Sequence, residues 1–556
     1  MQQHRYYRAN TSRRRPFCRY GWFAACSVII CAIASITAYA ESFDFQNDVM
    51  AVLSKGGCNA GRCHGNANGR GGFKLSLRGQ IPADDYLAIT REGQSRRVNR
   101  VNPRESLLLL KPTGQVPHEG GLRFTEQTPE YAAVLGWIAA GMPHQPQTAR
   151  QLQRIVVDPS SAIVDEGAPN GDRLQLQVTA HFDDGMTRDV TEMAVYEPAD
   201  MGVEVGRTGD VVRRKFGQST VVVRYLKQQT AVEVAFLKSA PNFVFNAPAT
   251  NNAIDVAVFQ HLFRLRINPS RTTTDIEFVR RAHLDVTGQL PTAEVARQFV
   301  ADASTDKRSR LVDQLLASDG YADHWTRNWA DLLRVEEKTM DAEGVRVFHA
   351  WIRAAIESDT AQDQFVREIL AARGNTYKQP PANFYRALRK PDLRAEAVAQ
   401  VFLGTRLQCA KCHDHPFEQW SQDDYYDFAA LFAPIQYKVV ENKRRDKFDK
   451  NQFIGEQVVW LDGNATLEHP RTGQTAEARF LGRADPTSEH VDAQLKEFAH
   501  WMTAADHPLF ARVLVNRVWA EMIGRGIVDP VDDFRITNPP SNPELLDALS
   551  KEFVRH

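Results

Sequence analysis

Between Arg154 and Lys238 the apolar residues recur at every second position, whereas on both sides they recur at helical spacing. That switch of period restricts the chain to helical and β units built in series, because periods of 2 and 3.6 bury different faces and cannot share one element. The runs Arg154 to Val157 and Leu174 to Phe182 alternate, Asp184-Gly185 marks a hairpin, and Ser219 to Tyr225 and Ala231 to Leu237 are rich in β-branched residues. Short strands of this kind over residues 151–240 predict an all-β sandwich of immunoglobulin size. The stretch holds no cysteine and no cluster of ionisable groups that reads as catalytic, so its expected role is spacing or adhesion. The whole chain, at 556 residues, has room for three to four domains of ~150 residues each.

Seven cysteines are present, of which Cys18, Cys26 and Cys31 fall in the first forty residues. The other four form two short motifs that each end in histidine: Cys58-Asn-Ala-Gly-Arg-Cys63-His64 and Cys409-Ala-Lys-Cys412-His413. In a C-x-x-C-H, two thiols add to the vinyl groups of a haem while the adjacent histidine takes the iron as proximal ligand. The first motif, with its longer gap, is a looser variant of the same pattern. Other readings stay open. Each pair could close a small disulfide loop, and Cys409, Cys412, His413 and His415 together suit zinc. Thiol–disulfide exchange is disfavoured because no βαβ pattern surrounds either pair.

Around the first motif, residues 41–150 predict an all-α cytochrome-c-like haem domain. Asp44 is placed to cap a helix with Phe45, Val49 and Val52 or Leu53 on one face, and Gly56-Gly57 ends it before the motif. A glycine-rich loop (Gly65 to Gly72), the run Leu107 to Leu110, the loop Val116 to Gly121 and a closing helix from about Pro129 to Ala140 follow. His118, in the loop before the closing helix, is the favoured sixth ligand over Met142, which lies past that helix beside His144. Bis-histidine ligation gives the lower reduction potential of the two. The expected iron ligands are therefore His64 and His118 at the first motif and His413 at the second, where no distal ligand is named.

After the proline-rich linker Ala240 to Ala249, residues 250–440 predict a helical domain. Ile254, Val258, Leu262 and Leu265 form one stripe, Thr274-Asp-Ile-Glu277 is a capping box, and further helical segments lead to the C-x-x-C-H and Asp414-His415-Pro416-Phe417. Trp325, Trp329, Trp351, Phe384 and Tyr385 read as core at their helical spacing, with a haem or sugar site as the alternative. Residues 441–490 are polar with a strand-like piece at Gln457 to Leu461, and residues 491–556 read as the start of a truncated helical C-terminal domain. The expected fold class is thus multidomain: an all-α unit, an all-β sandwich, then a mostly α-helical region.

At 43% hydrophobic and 24% charged, the composition excludes a disordered tail, a collagen-like rod and a multi-span membrane protein. Basic and acidic residues balance at 68 each, but Met1 to Ala40 carries six arginines and no acid, leaving 62 against 68 in the rest. A mildly acidic body argues against general nucleic-acid binding. Residues 1–40 run from Arg13-Arg14-Arg15 through an apolar stretch to Ala38-Tyr39-Ala40, which predicts a secretory leader cut after Ala40. A retained single-span anchor is the alternative. Arg14-Arg15-Pro16-Phe17 loosely resembles a twin-arginine signal, and either route exports the body to the periplasm or cell surface.

The stretches VLSKGGCNAGRCHG (Val52 to Gly65), GGFKLSLRG (Gly71 to Gly79) and LLLLKPTGQVPHEGG (Leu107 to Gly121) resemble the planctomycete-type cytochrome c domain. That resemblance implies haem at Cys58, Cys63 and His64. QVTAHFDDGMTRDV (Gln177 to Val190) is similar to group 2 bacterial immunoglobulin-like domains. RRAHLDVTGQLPT (Arg280 to Thr292), YADHW (Tyr321 to Trp325) and LQCAKCHDHPFEQWSQDDYY (Leu407 to Tyr426) resemble a domain of unknown function that accompanies that cytochrome. Leu514 to Asp547 looks like the opening of a second uncharacterised domain, longer in the family.

The leading expectation is an exported multidomain c-type cytochrome that transfers single electrons through covalently attached haem c to a redox partner protein. Cys58, Cys63, His64 and His118 would hold one haem, and Cys409, Cys412 and His413 a second. One alternative is a metal-dependent hydrolase or polysaccharide-handling protein centred on residues 409–415, with zinc and with Asp414 and His283, Asp285 or Asp423 nearby. The other is a surface scaffold acting through the β unit in polysaccharide or cell-surface contact. No nucleic acid is expected, and a membrane only through an uncleaved leader. Spacing alone singles out no catalytic residue.

Overall fold

Residues 43–144, 149–449, 452–482 and 485–556 are described by the computed structural model. The expected leader, with Cys18, Cys26 and Cys31, lies outside the described residues. The described chain mixes helices with small sheets, three within residues 152–237 and one that joins residues 374–461. No described helix is long and apolar enough to cross a membrane.

The first motif follows a helix whose start and stop are written locally. Asp44 accepts a hydrogen bond from the Asn47 N–H, the first turn Phe45–Val49 is π-helical, and the helix Met50–Lys55 continues it to Gly56. Phe45, Val49, Met50, Val52 and Leu53 are buried against Tyr131, Val134, Trp137 and Ile138 of the closing helix Pro129–Ala139. Burying each such side chain contributes about 1.5–3 kcal/mol. A further helix, Pro82–Thr90, opens on a proline and carries Asp84 and Asp85 in its first turn. Its two acids blur the apolar period, so the sequence pattern passes over it.

The alternating region forms three sheets, with strand orders Leu152–Asp158, Gln177–Phe182, Thr187–Asp189; Ser161–Asp165, Gln228–Leu237, Gly217–Tyr225, Val195–Pro198; and Arg173–Gln175, Asp210–Arg213, Val203–Val205. The run Leu174 to Phe182 is not one strand: it breaks at the buried Leu176, and its two halves join different sheets. Ser161–Asp165 pairs parallel to Gln228–Leu237, the other pairs being antiparallel. The preceding unit is fastened to these sheets by Arg188 Nη1 to Asp48 Oδ1 at 2.7 Å, Tyr225 Oη to the Asn47 carbonyl at 2.7 Å and Arg207 Nη2 to Glu130 Oε1 at 2.6 Å.

Beyond residue 252 helices dominate. Thr274 and Glu277 form the full reciprocal capping box at the start of helix Asp275–Thr287. The largest core gathers Phe348, Phe365, Phe384, Tyr385, Phe402, Phe428 and Phe498 from well-separated helices. Two buried arginines tie it together. Arg394 gives its guanidinium to the carbonyls of Leu388, Phe432, Ile435 and Arg389, fixing helix Pro391–Phe402 against strand Ile435–Val439. Arg386 meets Asp341 at 3.0 Å. The strand-like piece Gln457–Leu461 pairs with both Ile435–Val439 and Gly374–Asn375, so the mostly helical region also carries a sheet. Helices Phe510–Ile523 and Pro543–Arg555 pack with Ala253–Arg264 around a smaller core.

Candidate functional site

At the first motif the chain turns sharply after Gly56, and the Cys58 N–H is held by the Leu53 carbonyl at 2.8 Å. A side chain at Gly65 would lie 2.0 Å from the Asn59 carbonyl oxygen, so the loop that closes the motif requires glycine. Cys58 and Cys63 are free thiols. Burial pushes the Cys58 thiol up to about 11, with the Arg123 guanidinium opposing. Arg123 Nη2 also lies 3.8 Å from Cys63 Sγ.

His64 and His118, well separated along the chain, are brought together by the fold. Their rings are within 8° of parallel with centroids 6.4 Å apart. His64 Nδ1 lies 3.0 Å from the Phe73 carbonyl and His118 Nδ1 lies 3.1 Å from the Gly121 carbonyl. Each ring thus donates through Nδ1 to a backbone oxygen, which sets the tautomer and leaves Nε2 as the nitrogen for a metal. Two imidazoles on opposite sides of one ion, each bonded at about 2 Å, have ring centres roughly 6 Å apart. The 6.4 Å between the His64 and His118 ring centres is close to that spacing. Phe73 packs on His64 at 4.7 Å, and Arg97 lies over Phe73 at 4.4 Å. Burial lowers the His64 pKa, favouring the neutral imidazole that a metal requires. Met142 is instead packed in the hydrophobic core with Trp137, and its carbonyl accepts from Tyr86 Oη at 3.0 Å.

The second motif lies on the turn Gln408–Lys411 between helices Pro391–Phe402 and Gln422–Ala430. Lys411 pairs with Asp392 at 2.7 Å, and the Gln422 amide donates to the Lys411 carbonyl at 3.0 Å. Cys409 and Cys412 are free and exposed. His413 Nδ1 lies 2.8 Å from the Asp414 carbonyl, the same tautomer-setting contact that the first site makes twice. His415 is turned the other way: its Nδ1 accepts the Phe417 N–H at 3.2 Å, and burial lowers its pKa to about 4, with Arg535 adding to the effect. Among the described residues no group of three or more His, Cys, Asp or Glu lies close enough together to hold one metal ion. His283 and Asp285 make their contacts on their own helix, with the Val279 carbonyl and Arg281, and Asp423 contacts His469 and Arg471.

The two motifs meet at one residue. The Arg78 backbone N–H donates to the Asn59 carbonyl inside the first motif at 2.9 Å, and its Nη1 donates to the Pro416 carbonyl beyond the second at 2.7 Å. The guanidinium sits 4.5 Å from the Phe417 ring centre, and Gln80 Nε2 adds a bond to the Asp414 carbonyl at 2.6 Å.

Residues 253–437 match the PSCyt2 family model, a protein of unknown function (DUF1549), and residues 495–556 match PSD1, a protein of unknown function (DUF1553). These matches support a planctomycete-type multidomain protein. No curated protein matches the chain. The second Cys/His motif falls within the PSCyt2 match, and the first precedes it.

Sequence reasoning missed Phe73, Gly120, Arg123 and Arg78. Gly120 had a readable signal in hindsight: a Cβ there would come within 2.6 Å of the His118 ring, and it lies two residues from that histidine. Arg78 had none, because its partner is 338 positions away.

Proposed function

We propose that this chain is an exported multidomain c-type cytochrome that passes single electrons to or from a redox partner protein. The observation that carries the reading is the parallel His64–His118 pair beside two free thiols. Cys58 and Cys63 would tether a haem, His64 would be its proximal ligand and His118 its distal one. Cys409, Cys412 and His413 would attach a second haem. Haem supplies a reversible one-electron change at iron, its potential set by ligand identity, hydrogen bonding and burial. The protein supplies the rest. The Phe73, Gly121 and Asp414 carbonyls orient the three imidazoles, Phe73 shields His64, and the Arg97 and Arg123 cations stand near the first site. The cytochrome label in the name PSCyt2 agrees with this reading.

In the same reading, residues 41–150 are the cytochrome-c-like domain and residues 151–240 an immunoglobulin-like spacer. The leader places the body in the periplasm or at the cell surface, where c-type attachment occurs. A potentiometric optical titration of protein matured in a host with c-type attachment tests it. A reversible one-electron transition, raised in potential by His118→Met, is the expected result. Absence of any reversible transition would overturn the reading.

A further inference from the structure

A cleft of about 1030 Å³ lies between helix Asp319–Leu332 and helix Phe510–Ile523. It runs along the seam of the two family-matched segments, and it is separate from both Cys/His motifs. Seams of this kind are frequent ligand sites, and the volume is at the upper end of the ~300–1,000 Å³ usual for small ligands.

Three aromatic residues on one helix line it. Tyr321, Trp325 and Trp329 stand at i, i+4 and i+8, so successive rings are offset by ~6 Å along the helix, the scale of one sugar ring. Tyr321 and Trp325 are 6.3 Å apart, and Trp329 is braced by Phe365 at 5.0 Å, which itself stacks on Trp351 at 5.0 Å. The row is therefore backed by the main core. Polar side chains stand among a mostly apolar lining: Asn328, Asp331, Asp359, Gln362, Arg517 and Glu521. Trp325 Nε1, Gln362 Oε1 and Arg517 Nε are buried without a hydrogen-bond partner, a state that calls for a specific explanation when it recurs around one cavity.

The charge at the cleft narrows the ligand class. Arg367, also on the wall, is already met by Asp363 at 2.8 Å and Thr503 Oγ1 at 2.8 Å. Asp331, Asp359 and Glu521 then outweigh Arg517, which opposes a phosphate or other polyanion. The carboxylates of Asp331, Asp359 and Glu521 on that wall oppose a wholly apolar lipid chain, which would leave them without partners. A compact cation is best held by rings on several sides, whereas these rings lie in a row on one side. A row of aromatic faces flanked by carboxylates and amides suits a ligand with apolar C–H faces and hydroxyl edges repeated along a chain. We propose that this cleft binds a neutral oligosaccharide, its sugar faces on Tyr321, Trp325 and Trp329 and its hydroxyls on Asn328, Asp359 and Glu521.

The test titrates the full chain with neutral hexaoses (cello-, xylo-, manno- and malto-) by calorimetry and tryptophan fluorescence. Saturable binding of at least one hexaose is expected, weakened tenfold or more by Trp325→Ala and several-fold by Glu521→Gln, with thermal unfolding checked for each variant. Glu521→Gln, at an exposed position, keeps the test decisive if Trp325→Ala fails to fold. Cys58→Ala/Cys63→Ala should leave the affinity unchanged, so this outcome is independent of the haem reading. No binding up to millimolar hexaose, binding untouched by both cleft variants, or binding only of a polyanion or a quaternary ammonium ion would overturn the proposal.

Discussion

Arg78 donates to the carbonyl of Pro416 at 2.7 Å, and with Gln80, which donates to the Asp414 carbonyl, it rests the loop after the first Cys/His motif on the loop after the second. Its guanidinium is mostly buried, lies against Phe417 at 4.5 Å and is 3.8 Å from Glu197 of strand Val195–Pro198. Both motifs and the β unit therefore share a single cation.

If Arg78 fastens the motifs together, its effect should be coupled to Phe417. Arg78→Ala is expected to cost about 1–3 kcal/mol of stability through the lost hydrogen bond to Pro416 and the carbonyl left without a donor. A double-mutant cycle with Phe417→Ala should return a coupling of roughly 0.5–2 kcal/mol. Urea unfolding of the four proteins measures it, and strict additivity would deny the contact any energetic weight.

The His118 ring is expected to be the adjustable half of the first site. Gly120→Ala would push a methyl group into that ring, where the gap is 2.6 Å. It should therefore behave as a partial His118→Ala, moving the ferric absorption spectrum toward a five-coordinate or water-ligated form while covalent haem is retained. A spectrum identical to the parent protein would mean that the ring has another way to sit.

Asp85 should give this part of the chain a pH signature. Burial raises its pKa to about 6, against the hydrogen bonds from Ser76 that pull it down. An unfolded aspartate titrates near ~3.9, so between about pH 4 and 6 the folded state holds a proton that the unfolded state has lost. Stability from this group is thus fully present below pH 4, falls as the pH rises through 6, and is flat above. Relative to the parent, Asp85→Asn should gain up to about 3 kcal/mol between pH 4 and pH 7. Denaturant melts at those two values check the difference, and a pH-independent gap would contradict it.

The buried pair Arg386–Asp341 is expected to behave as a lock in the helical core. Asp341 adopts a left-handed backbone (φ 59°) inside helix Glu337–Glu357 and accepts from Tyr377 at 2.7 Å, from Arg386 at 3.0 Å and from the Gly455 N–H at 2.6 Å. Arg386→Met should cost about 3–5 kcal/mol, since it strands a buried carboxylate, and adding Asp341→Asn should recover part of it. Equilibrium unfolding of the single and double variants decides this. A double variant no better than the single would contradict it.

What the sequence made legible was local. Thr274 and Glu277 are three residues apart and form the capping box their spacing predicts, and Asp44 caps where expected. The order of loop and closing helix pointed to His118, and the fold sets its ring 6.4 Å from that of His64. The features that escaped depend on distant partners. Leu176 breaks an alternating run because its two halves join different sheets, Ser161–Asp165 needs the strand Gln228–Leu237 to exist, and Asp341 is bent by groups 36 and 114 positions away. No local pattern encodes such pairings, since they are stabilised only when the tertiary contact forms.

The most direct test of the account is the pyridine haemochrome content of the 556-residue chain, matured in a host with c-type attachment, beside Cys58→Ala/Cys63→Ala and Cys409→Ala/Cys412→Ala. The account predicts covalent haem in the parent protein and the loss of one equivalent with each pair of substitutions. A single haem lost only with the first pair would remove the second site, and no covalent haem at all would contradict the central claim.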